Sequence, residues 1–492
     1  MKYMTLKTVS FTLTALLFFQ GSSTVQLFAQ SASPISKSAA EKIQQVETGL
    51  VPWAMNQDSR SYTIAERMAK YNVNGLSIVV IKDYKIDWAK GYGWANAAEK
   101  KPVTTHTIFQ TGSVSKSLNG VAILKLVQDK KLDLYADIND DLNTWKFPYD
   151  SLSKNKKISM ANLLSHTGGV SVHGFYGYKK GEKVPSIYEI LDGKKPANSE
   201  PVRSMYEPGI MAEYSGGGIT ISQLILMDIT KKKYEDYLWM EVLKPMGMTQ
   251  SFFNPIPAES KNSLLASGYL ENGKEMVEGN YHIYPEQAAA SLWSTPTDLA
   301  KYVIETQLSL NGKSNKVLSK ESTKLRLTPY IDDESALGVF IEKKGQEKYF
   351  THGGGTTGFI DEYIGSFENG NGVVVMTNSA NPGIAREIFN SVSIAYGWKD
   401  FYQPSIKKTI RPTDEVMKKY LGTYMWYGKP VEIVNEQGEL WLNAPVKSKL
   451  YFTSDVDFYM TEKAVDYKFS IDANGFVNGF TDTNGRKVEK TG

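Results

Sequence analysis

A serine and a lysine stand three positions apart at the start of a long apolar stretch, in Ser113-Val114-Ser115-Lys116. On a helix this spacing places both side chains on one face, about one turn apart. A hydroxyl beside a neutral amine can act as a nucleophile because the amine takes its proton. The start of the helix adds the positive end of the backbone dipole. The motif therefore predicts nucleophilic catalysis by Ser113, with Lys116 as a proton acceptor.

The same spacing recurs elsewhere, so the surroundings must separate the candidates. The other pairs are Ser151/Lys154, Ser153/Lys156 and Ser405/Lys408. Only Ser113 leads into residues 121–127, which are apolar nearly all round and predict a buried helix. Burial disfavours the ammonium form of a lysine and so supplies a usable base. The other pairs lie in a polar, lysine-rich loop or in a predicted linker, where solvated surface pairs are the expectation.

Composition and charge set the broad class of the protein. The chain has 492 residues, 41% of them hydrophobic and 22% charged, which favours a globular protein of two domains. Its net charge is +3, and it contains no long run of lysine and arginine, so a nucleic-acid partner is not predicted. There are no cysteines, which excludes disulfides, a thiol nucleophile and thiolate metal sites.

The N-terminus has the pattern of a secretory signal peptide over residues 1–29. Lys2 and Lys7 precede an apolar core at residues 9–19, and Leu27-Phe28-Ala29 offers a cleavage site. The apolar run is too short and too interrupted for a membrane-spanning helix, and no second candidate follows. We expect a secreted or periplasmic protein without a transmembrane segment beyond the signal; an uncleaved anchor is the alternative.

The remaining elements divide the chain into a tether, a large domain, a linker and a small domain. Residues 30–55 are predicted to be a tether and residues 56–403 the large domain. Two groups of strands near its ends predict one antiparallel sheet flanked by helices, while residues from about 115 to 330 form a mostly helical insert. The predicted strands are 75–81, 86–92, 349–351, 363–367 and 373–377, with helices at 62–71 and 384–392. The fold class is therefore α+β.

The C-terminal part has a different pattern. Residues 404–412, bounded by Pro404 and Pro412, are predicted to be a linker. Residues 413–492 contain short strands separated by Asn-Gly turns, which predicts a small β-barrel or sandwich domain. No catalytic combination of residues stands there, so we expect a packing or gating module.

Two further motifs follow the serine motif at long range: Tyr214-Ser215-Gly216-Gly217-Gly218 and His352-Gly353-Gly354-Gly355. Their order resembles that of the class C β-lactamase-like serine hydrolases, which include D-alanyl carboxypeptidases, D-aminopeptidases and esterases. The resemblance covers roughly residues 60 to 400. It implies a β-lactamase/transpeptidase-like fold for the large domain. Additional segments that agree are Leu163-Leu164-Ser165-His166-Thr167-Gly168-Gly169, Lys244-Pro245-Met246-Gly247-Met248 and Leu292-Trp293-Ser294-Thr295-Pro296-Thr297-Asp298-Leu299.

The resemblance implies a role for each of three catalytic residues. Ser113 attacks the carbonyl and becomes acylated, while Lys116 and Tyr214 share the acid and base work. Which of the two takes the first proton is open. A phenol with a pKa of about 10 is a poor base at neutral pH. We expect Lys116 and the helix dipole to lower the pKa of Tyr214.

The resemblance also implies a substrate-binding set. The backbone N–H groups of Ser113 and Gly355 would form the oxyanion hole. Gly353 and Gly354 let a substrate lie close to the strand edge. The other predicted substrate-binding residues are His352, Ser215 and Gly216. The implied reaction uses no metal or cofactor, and its partner is a small-molecule or peptide substrate.

Two positions depart from the pattern of true β-lactamases. Gly216 stands where an asparagine usually binds a substrate amide, and His352 stands where a lysine usually binds a carboxylate. A histidine is mostly neutral near pH 7 and holds a carboxylate less firmly. Both differences argue against efficient penicillin hydrolysis. They favour a secreted serine hydrolase that acts through an acyl-enzyme on an ester, an amide or a D-amino-acid peptide.

Several alternatives stay open from the sequence. One is a β-lactamase or a cell-wall D,D-carboxypeptidase proper, and another is a catalytically silent penicillin-binding-like protein. A triad that pairs Ser113 with His352 lacks an identifiable third member. His166 has no partners at metal-ligand spacing and is interpreted as a structural residue that bonds to backbone.

Overall fold

The computed structural model describes residues 37–492 apart from residues 57, 58, 405, 427 and 464. The predicted signal peptide, residues 1–29, lies outside the described residues, as does the start of the predicted tether. No helix in the described part of the chain is both long enough and apolar enough to cross a membrane.

The large domain is built on a seven-stranded antiparallel sheet. Its strand order is β3-β2-β1-β9-β8-β7-β6, so strands from both ends of the domain meet at the centre. This confirms the predicted α+β sheet. Strands β4 and β5 form a separate pair inside the insert. The strands are β1 Gly75–Lys82, β2 Lys85–Asn96, β3 Lys101–Pro102, β4 Phe109–Gln110, β5 Trp293–Ser294, β6 Phe340–Lys344, β7 Glu347–Thr356, β8 Phe359–Ser366 and β9 Gly372–Thr377.

Side chains along the central strands point alternately to the two faces of this sheet, and both faces are buried. Ile78 and Val80 of β1 belong to one hydrophobic core, whereas Val79 and Ile81 belong to the other. Successive strand residues point to opposite faces, so an apolar run such as β1 must be covered on both sides. Helices from the two ends of the domain cover the first face, and the insert covers the second.

Thirteen helices of the described chain surround or extend from this sheet. They are α1 Lys37–Thr48, α2 Ile64–Lys70, α3 Ser115–Gln128, α4 Ile138–Asp141, α5 Met160–Leu164, α6 Ile187–Asp192, α7 Gly216–Thr230, α8 Tyr234–Leu238, α9 Lys244–Met246, α10 Gln287–Ala290, α11 Pro296–Leu310, α12 Lys320–Arg326 and α13 Gly383–Tyr396. The predicted helices at 62–71 and 384–392 correspond to α2 and α13. The mostly helical insert is also confirmed.

The predicted tether is wrong over its described part. Residues 37–48 form helix α1, and its apolar residues Ile43 and Val46 are buried in the core beside α13. The hydroxyl of Ser391 on α13 donates a hydrogen bond of 3.0 Å to the carbonyl of Val46. The small, polar start of this segment suggested a flexible tether, but the buried residues recur at helical spacing and need a partner surface.

The C-terminal residues form a nine-stranded sheet with its own core. Its order is β13-β12-β11-β10-β18-β17-β16-β15-β14, and Leu450 alone separates its two edge strands in sequence. The sheet is therefore nearly closed, in agreement with the predicted barrel. The elements are α14 Asp414–Tyr420, β10 Gly422–Trp426, β11 Lys429–Glu436, β12 Glu439–Asn443, β13 Ser448–Lys449, β14 Tyr451–Phe452, β15 Asp457–Tyr459, β16 Asp466–Ile471, β17 Val477–Asp482 and β18 Lys487–Lys490.

Candidate active site

Ser113 lies in the turn that leads into helix α3. Its carbonyl accepts the backbone N–H of Lys116 at 3.0 Å, so the chain is already wound into a turn at the serine. The Nζ of Lys116 donates to the Ser113 Oγ at 2.9 Å. The helix that follows is buried along almost its whole length, as its apolar sequence predicts. The helical spacing thus brings the hydroxyl and the amine into direct contact.

Lys116 is buried, and its second hydrogen bond goes to a neutral group. Its Nζ donates to the carbonyl of Ala289, at 2.8 Å, in helix α10. No carboxylate in the described chain forms a salt bridge with it. Burial lowers the pKa of Lys116 to about 7. A substantial fraction of the lysine is therefore a neutral amine at neutral pH.

Tyr214 meets this pair from a distant part of the chain. Its hydroxyl lies close enough to the Ser113 side chain for Ser113 to influence its pKa. The Lys116 Nζ lies 4.9 Å from the centre of the Tyr214 ring. The structure thus brings together the three residues that the motifs singled out.

The expected lowering of the tyrosine pKa is wrong. Burial raises the pKa of Tyr214 well above 10, and its hydrogen bond with Ser113 offsets only part of that increase. Removal from water disfavours the charged phenolate. The phenol is consequently a proton donor in the resting site, and the lysine is the better base.

The glycines of strand β7 allow close contact between that strand and the serine turn. A Cβ on Gly354 would lie 1.9 Å from the carbonyl oxygen of Thr111 and 3.0 Å from the backbone nitrogen of Ser113. Gly112 has a φ of +53°, and a Cβ there would lie 2.7 Å from the carbonyl oxygen of Gly355. Side chains at these positions would push the two segments apart.

Beyond Thr351, strand β7 has a free edge in the described chain. Strand β6 pairs with β7 only up to Thr351, whereas β8 continues along its other side to Thr356. Gly353 and Gly355 are exposed, while Gly354 is buried against the serine turn. An extended substrate could therefore reach the backbone beside Ser113.

His352 is buried at the start of this edge. Its Nδ1 lies 2.6 Å from the carbonyl oxygen of Gly353, which can only accept, so the Nδ1 carries the proton. Burial, with a contribution from Lys116, lowers the pKa of His352 to about 3. The ring is therefore neutral, and its Nε2 is an acceptor with no partner in the described chain.

The two residues after Tyr214 lie at the start of helix α7. The Ser215 hydroxyl accepts the backbone N–H of Gly218 at 2.9 Å and donates to the carbonyl of Ser171 at 2.9 Å, so it caps helix α7. Gly216 is buried, and a Cβ there would lie 3.0 Å from the Phe175 ring. The Ser215 hydroxyl is thus engaged within the protein, and the substrate-binding roles of Ser215 and Gly216 stay predictions.

Three neighbours of the site were not singled out from the sequence. The carbonyl of Ala289 holds the lysine, and the rings of His173 and Phe340 lie 5.0 Å and 6.3 Å from that of Tyr214. A backbone carbonyl has no sequence signal, and the two rings belong to segments without a recognisable motif. His166 is buried and its Nδ1 accepts the backbone N–H of Ser215 at 3.2 Å, in agreement with the predicted backbone contact.

Comparison with known proteins gives the family of this chain. The family model described as Beta-lactamase matches residues 62–391, which include all three motifs. The chain belongs to the Beta-lactamase family. Proteins of this family are generally serine hydrolases that form an acyl-enzyme.

Two bacterial proteins have similar sequences. Protein flp of Staphylococcus aureus strain N315 is 25% identical over 327 residues, which are 64% of this chain. The chain spans only 61% of the length of that relative. Penicillin-binding protein 4* of Bacillus subtilis strain 168 is 21% identical over 85% of this chain and 95% of its own length.

Solved structures of family relatives share this fold. The octameric penicillin-binding protein homologue from Pyrococcus abyssi aligns with a TM-score of 0.57 at 24% identity, over 86% of this chain and 97% of its own. FmtA from Staphylococcus aureus aligns with a TM-score of 0.54 at 19% identity, over 77% of this chain and 99% of its own. Likeness at this level of identity establishes the transpeptidase-like fold and nothing further.

Proposed function

We propose that this protein is a serine hydrolase that acts through an acyl-enzyme on an ester, an amide or a D-amino-acid peptide. The contact of 2.9 Å between the Lys116 Nζ and the Ser113 Oγ carries the proposal. A buried amine with a pKa near 7, bonded to a serine hydroxyl, is poised to take its proton at neutral pH.

In the acylation step, the Ser113 Oγ bonds to the substrate carbonyl carbon as its proton passes to the Lys116 Nζ. The carbonyl oxygen becomes an oxyanion, and the backbone N–H groups of Ser113 and Gly355 are proposed to bind it. The bond to the leaving group then breaks. Tyr214 donates its phenolic proton to the leaving group and is reprotonated from Lys116.

Deacylation runs through the same groups. Water attacks the ester carbonyl of the acylated Ser113, and its proton passes to the neutral Lys116. The bond to the Ser113 Oγ then breaks, and the oxygen regains a proton as the carboxylic acid leaves. Both half-reactions need the lysine in its neutral form at the start, so one group serves as the base twice.

The neutral state of His352 supports a preference against β-lactams. Its Nε2 offers a hydrogen-bond acceptor where true β-lactamases usually hold a lysine that binds the substrate carboxylate. A carboxylate at that place would meet a second hydrogen-bond acceptor in place of a cation. We therefore favour substrates that present a neutral or hydrogen-bond-donating group to His352.

We also propose that the protein is exported. The support is the pattern of residues 1–29, in which lysines precede an apolar core and a small residue ends a cleavage site. Expression of the full chain with fractionation of cells and medium tests this, with N-terminal sequencing of the recovered protein. Recovery of uncleaved protein from the cytoplasm alone would contradict it.

Labelling with a fluorescent alkyl phosphonate tests whether Ser113 is the nucleophile of a serine hydrolase. The wild-type protein should be labelled in minutes, and Ser113→Ala should not be labelled. Ser151→Ala is the matched control because Ser151 has a lysine at the same spacing, on an exposed loop, and should keep full labelling. Labelling that persists in Ser113→Ala would end the proposal.

A panel of substrates then shows which class of substrate the enzyme prefers. We expect p-nitrophenyl esters or D-amino-acid amides to be turned over at least 10-fold faster, in kcat/KM, than nitrocefin or a peptide ending in D-Ala-D-Ala. Preferred turnover of nitrocefin would make the protein a β-lactamase, and preferred turnover of the peptide a carboxypeptidase. Labelling of Ser113 without turnover of any member would favour a binding protein.

A further inference from the structure

His166 contacts Tyr214, the proposed proton donor, and also the residues directly before and after it. Its carbonyl oxygen accepts the backbone N–H of Glu213 at 2.8 Å, and its Nδ1 accepts the backbone N–H of Ser215 at 3.2 Å. Between these two bonds, its ring lies 4.3 Å from the ring of Tyr214, centre to centre. One residue thus holds the positions before and after Tyr214 and also packs on its side chain.

The conformation of His166 makes this arrangement possible. Its φ is +60°, in the left-handed region that is uncommon for residues other than glycine but that asparagine, aspartate and histidine adopt more readily. This turn of the backbone lets both the carbonyl and the ring face the same segment. The residue is 4% exposed, so its bond to Ser215 forms away from water and does not exchange readily with solvent.

We infer that His166 is a positioning residue that holds the hydroxyl of Tyr214 at Ser113. The inference deepens the proposed function and rests on it, because it matters for turnover only if Tyr214 transfers a proton. Proton transfer requires the heavy atoms to lie about 2.6–3.2 Å apart, so a small rotation of Tyr214 interrupts it. A misplacement of about 1 Å can cost roughly 100-fold in rate.

The chemical state of the imidazole fits this role. Because the Nδ1 accepts a hydrogen bond, a neutral ring must carry its proton on the Nε2. Burial, with smaller contributions from Lys116, His352 and His173, lowers the pKa of His166 well below its usual range. The ring therefore stays an acceptor for Ser215 across the pH range in which Lys116 is neutral.

Other bonds keep the segment folded when the imidazole is replaced. The backbone N–H of Gly209 donates to the carbonyl of Thr167 at 2.8 Å, and that of Gly216 to the carbonyl of His173 at 3.1 Å. These bonds join the same two stretches of chain on either side of the His166 contacts and do not involve the ring. Replacement of the ring should therefore loosen Tyr214 without unfolding the site.

Two substitutions distinguish the contribution of the His166 ring packing from that of its hydrogen-bond acceptor. His166→Phe keeps an aromatic ring beside Tyr214 but has no acceptor for Ser215. His166→Asn keeps a short acceptor, and asparagine tolerates a positive φ. We expect His166→Phe to lower kcat by about 10- to 100-fold with KM within about 3-fold, and His166→Asn to recover most of that loss. His106→Phe, at an exposed histidine, is the control and should be unchanged.

A double-mutant cycle distinguishes positioning from a general structural role. In a Tyr214→Phe background there is no hydroxyl to position, so adding His166→Phe should cost less than about 3-fold. A further loss as large as that in the wild-type background would overturn the inference. Failure of His166→Asn to recover activity, while His166→Phe retains it, would overturn it as well.

Residue-resolved amide hydrogen exchange supplies a readout without turnover. The Ser215 amide should exchange faster in His166→Phe and regain protection in His166→Asn, while the Gly216 amide stays protected in all three proteins. Unchanged protection of Ser215 would show that the imidazole does not hold this segment. A different result would contradict the proposed function itself: the phosphonate would not label the wild-type protein at Ser113.

Discussion

The Cα of Gly354 faces the carbonyl oxygen of Thr111 so closely that a Cβ on Gly354 would lie 1.9 Å from it. Neither atom can move away independently, because one belongs to strand β7, which is paired with β8 at that point, and the other to the turn that carries Ser113. The contact fixes the distance between the proposed nucleophile and the strand edge beside it.

Gly354→Ala should therefore separate the strand from the serine turn. We expect at least a 100-fold loss of phosphonate labelling and a lower melting temperature, because backbone cannot yield to the new methyl group as a flexible side chain would. Gly174→Ala is the control, since Gly174 is exposed and a Cβ there would have no neighbour within 4 Å. Equal labelling of the two variants would show that this contact does not set the geometry of the site.

The rate should depend on pH through Lys116. Burial lowers the pKa of Lys116 to about 7, and the base must be neutral to accept the serine proton. The value of kcat/KM for a p-nitrophenyl ester should accordingly rise through pH 6 to 8, with an apparent pKa of about 7. The profile is measured against Ser113→Ala as background. A profile that is flat from pH 5 to 9 would argue against a neutral lysine base.

The buried amine of Lys116 should also lower the free energy of unfolding. The pKa of Lys116 falls from 10.5 to about 7 on folding, so the folded protein binds its proton more weakly than the unfolded chain does. The resulting loss of folding stability is absent above pH 10.5. It grows as the pH falls and is complete below about pH 7. We expect Lys116→Met to raise the free energy of unfolding at pH 6 by about 2–4 kcal/mol while abolishing turnover.

Urea unfolding at pH 6, 8 and 10 measures this effect. The advantage of Lys116→Met should shrink as the pH rises towards 10. Lys125→Met is the control on the same helix, where the lysine pairs with Asp129, and it should be neutral or slightly destabilising. A Lys116→Met protein that is less stable than wild type at pH 6 would contradict the buried-amine interpretation.

Tyr214→Phe removes the proposed proton donor and keeps its ring. The ring contacts with Lys116 and His166 should persist, so we expect a melting temperature within a few degrees of wild type. The kcat should fall by about 100- to 10,000-fold, because burial raises the pKa of this phenol and its proton has no substitute at that place. Tyr206→Phe, whose hydroxyl has no partner in the described chain, serves as the control. Near-native turnover by Tyr214→Phe would refute the role.

A buried ion pair ties helix α2 to helix α13. The Arg67 Nε donates to the Glu387 carboxylate at 2.6 Å, and the Tyr71 hydroxyl donates to the same carboxylate at 2.7 Å. We expect Arg67→Met to lower the free energy of unfolding by about 3–5 kcal/mol, since Glu387 is left buried without its cation.

The exposed pair between Arg60 and Glu66, a residue of the same helix α2, offers a matched comparison. Arg60→Met should leave the free energy of unfolding nearly unchanged, because water replaces the lost partner. Denaturant unfolding of both variants at pH 7 makes the comparison. Equal losses in the two variants would mean that burial does not govern the contribution of Arg67.

The sequence by itself determined the family and the identity of the reactive groups. Ser113, Lys116 and Tyr214 were recognisable because residue type and spacing are local properties, and the apolar run after the serine required a buried helix. The central sheet and the C-terminal strands were predictable for the same reason. The tether was not, because α1 is helical through its contact with α13, far along the chain.

Only the tertiary structure decided how the reactive groups are charged and held. Lys116 owes its lowered pKa to burial and bonds to Ala289, which lies 173 positions away. Tyr214 is kept protonated by burial, and the Ser215 hydroxyl caps a helix. Proton affinity depends on solvent exclusion and on the dipoles nearby, and folding supplies both from segments that no local pattern connects.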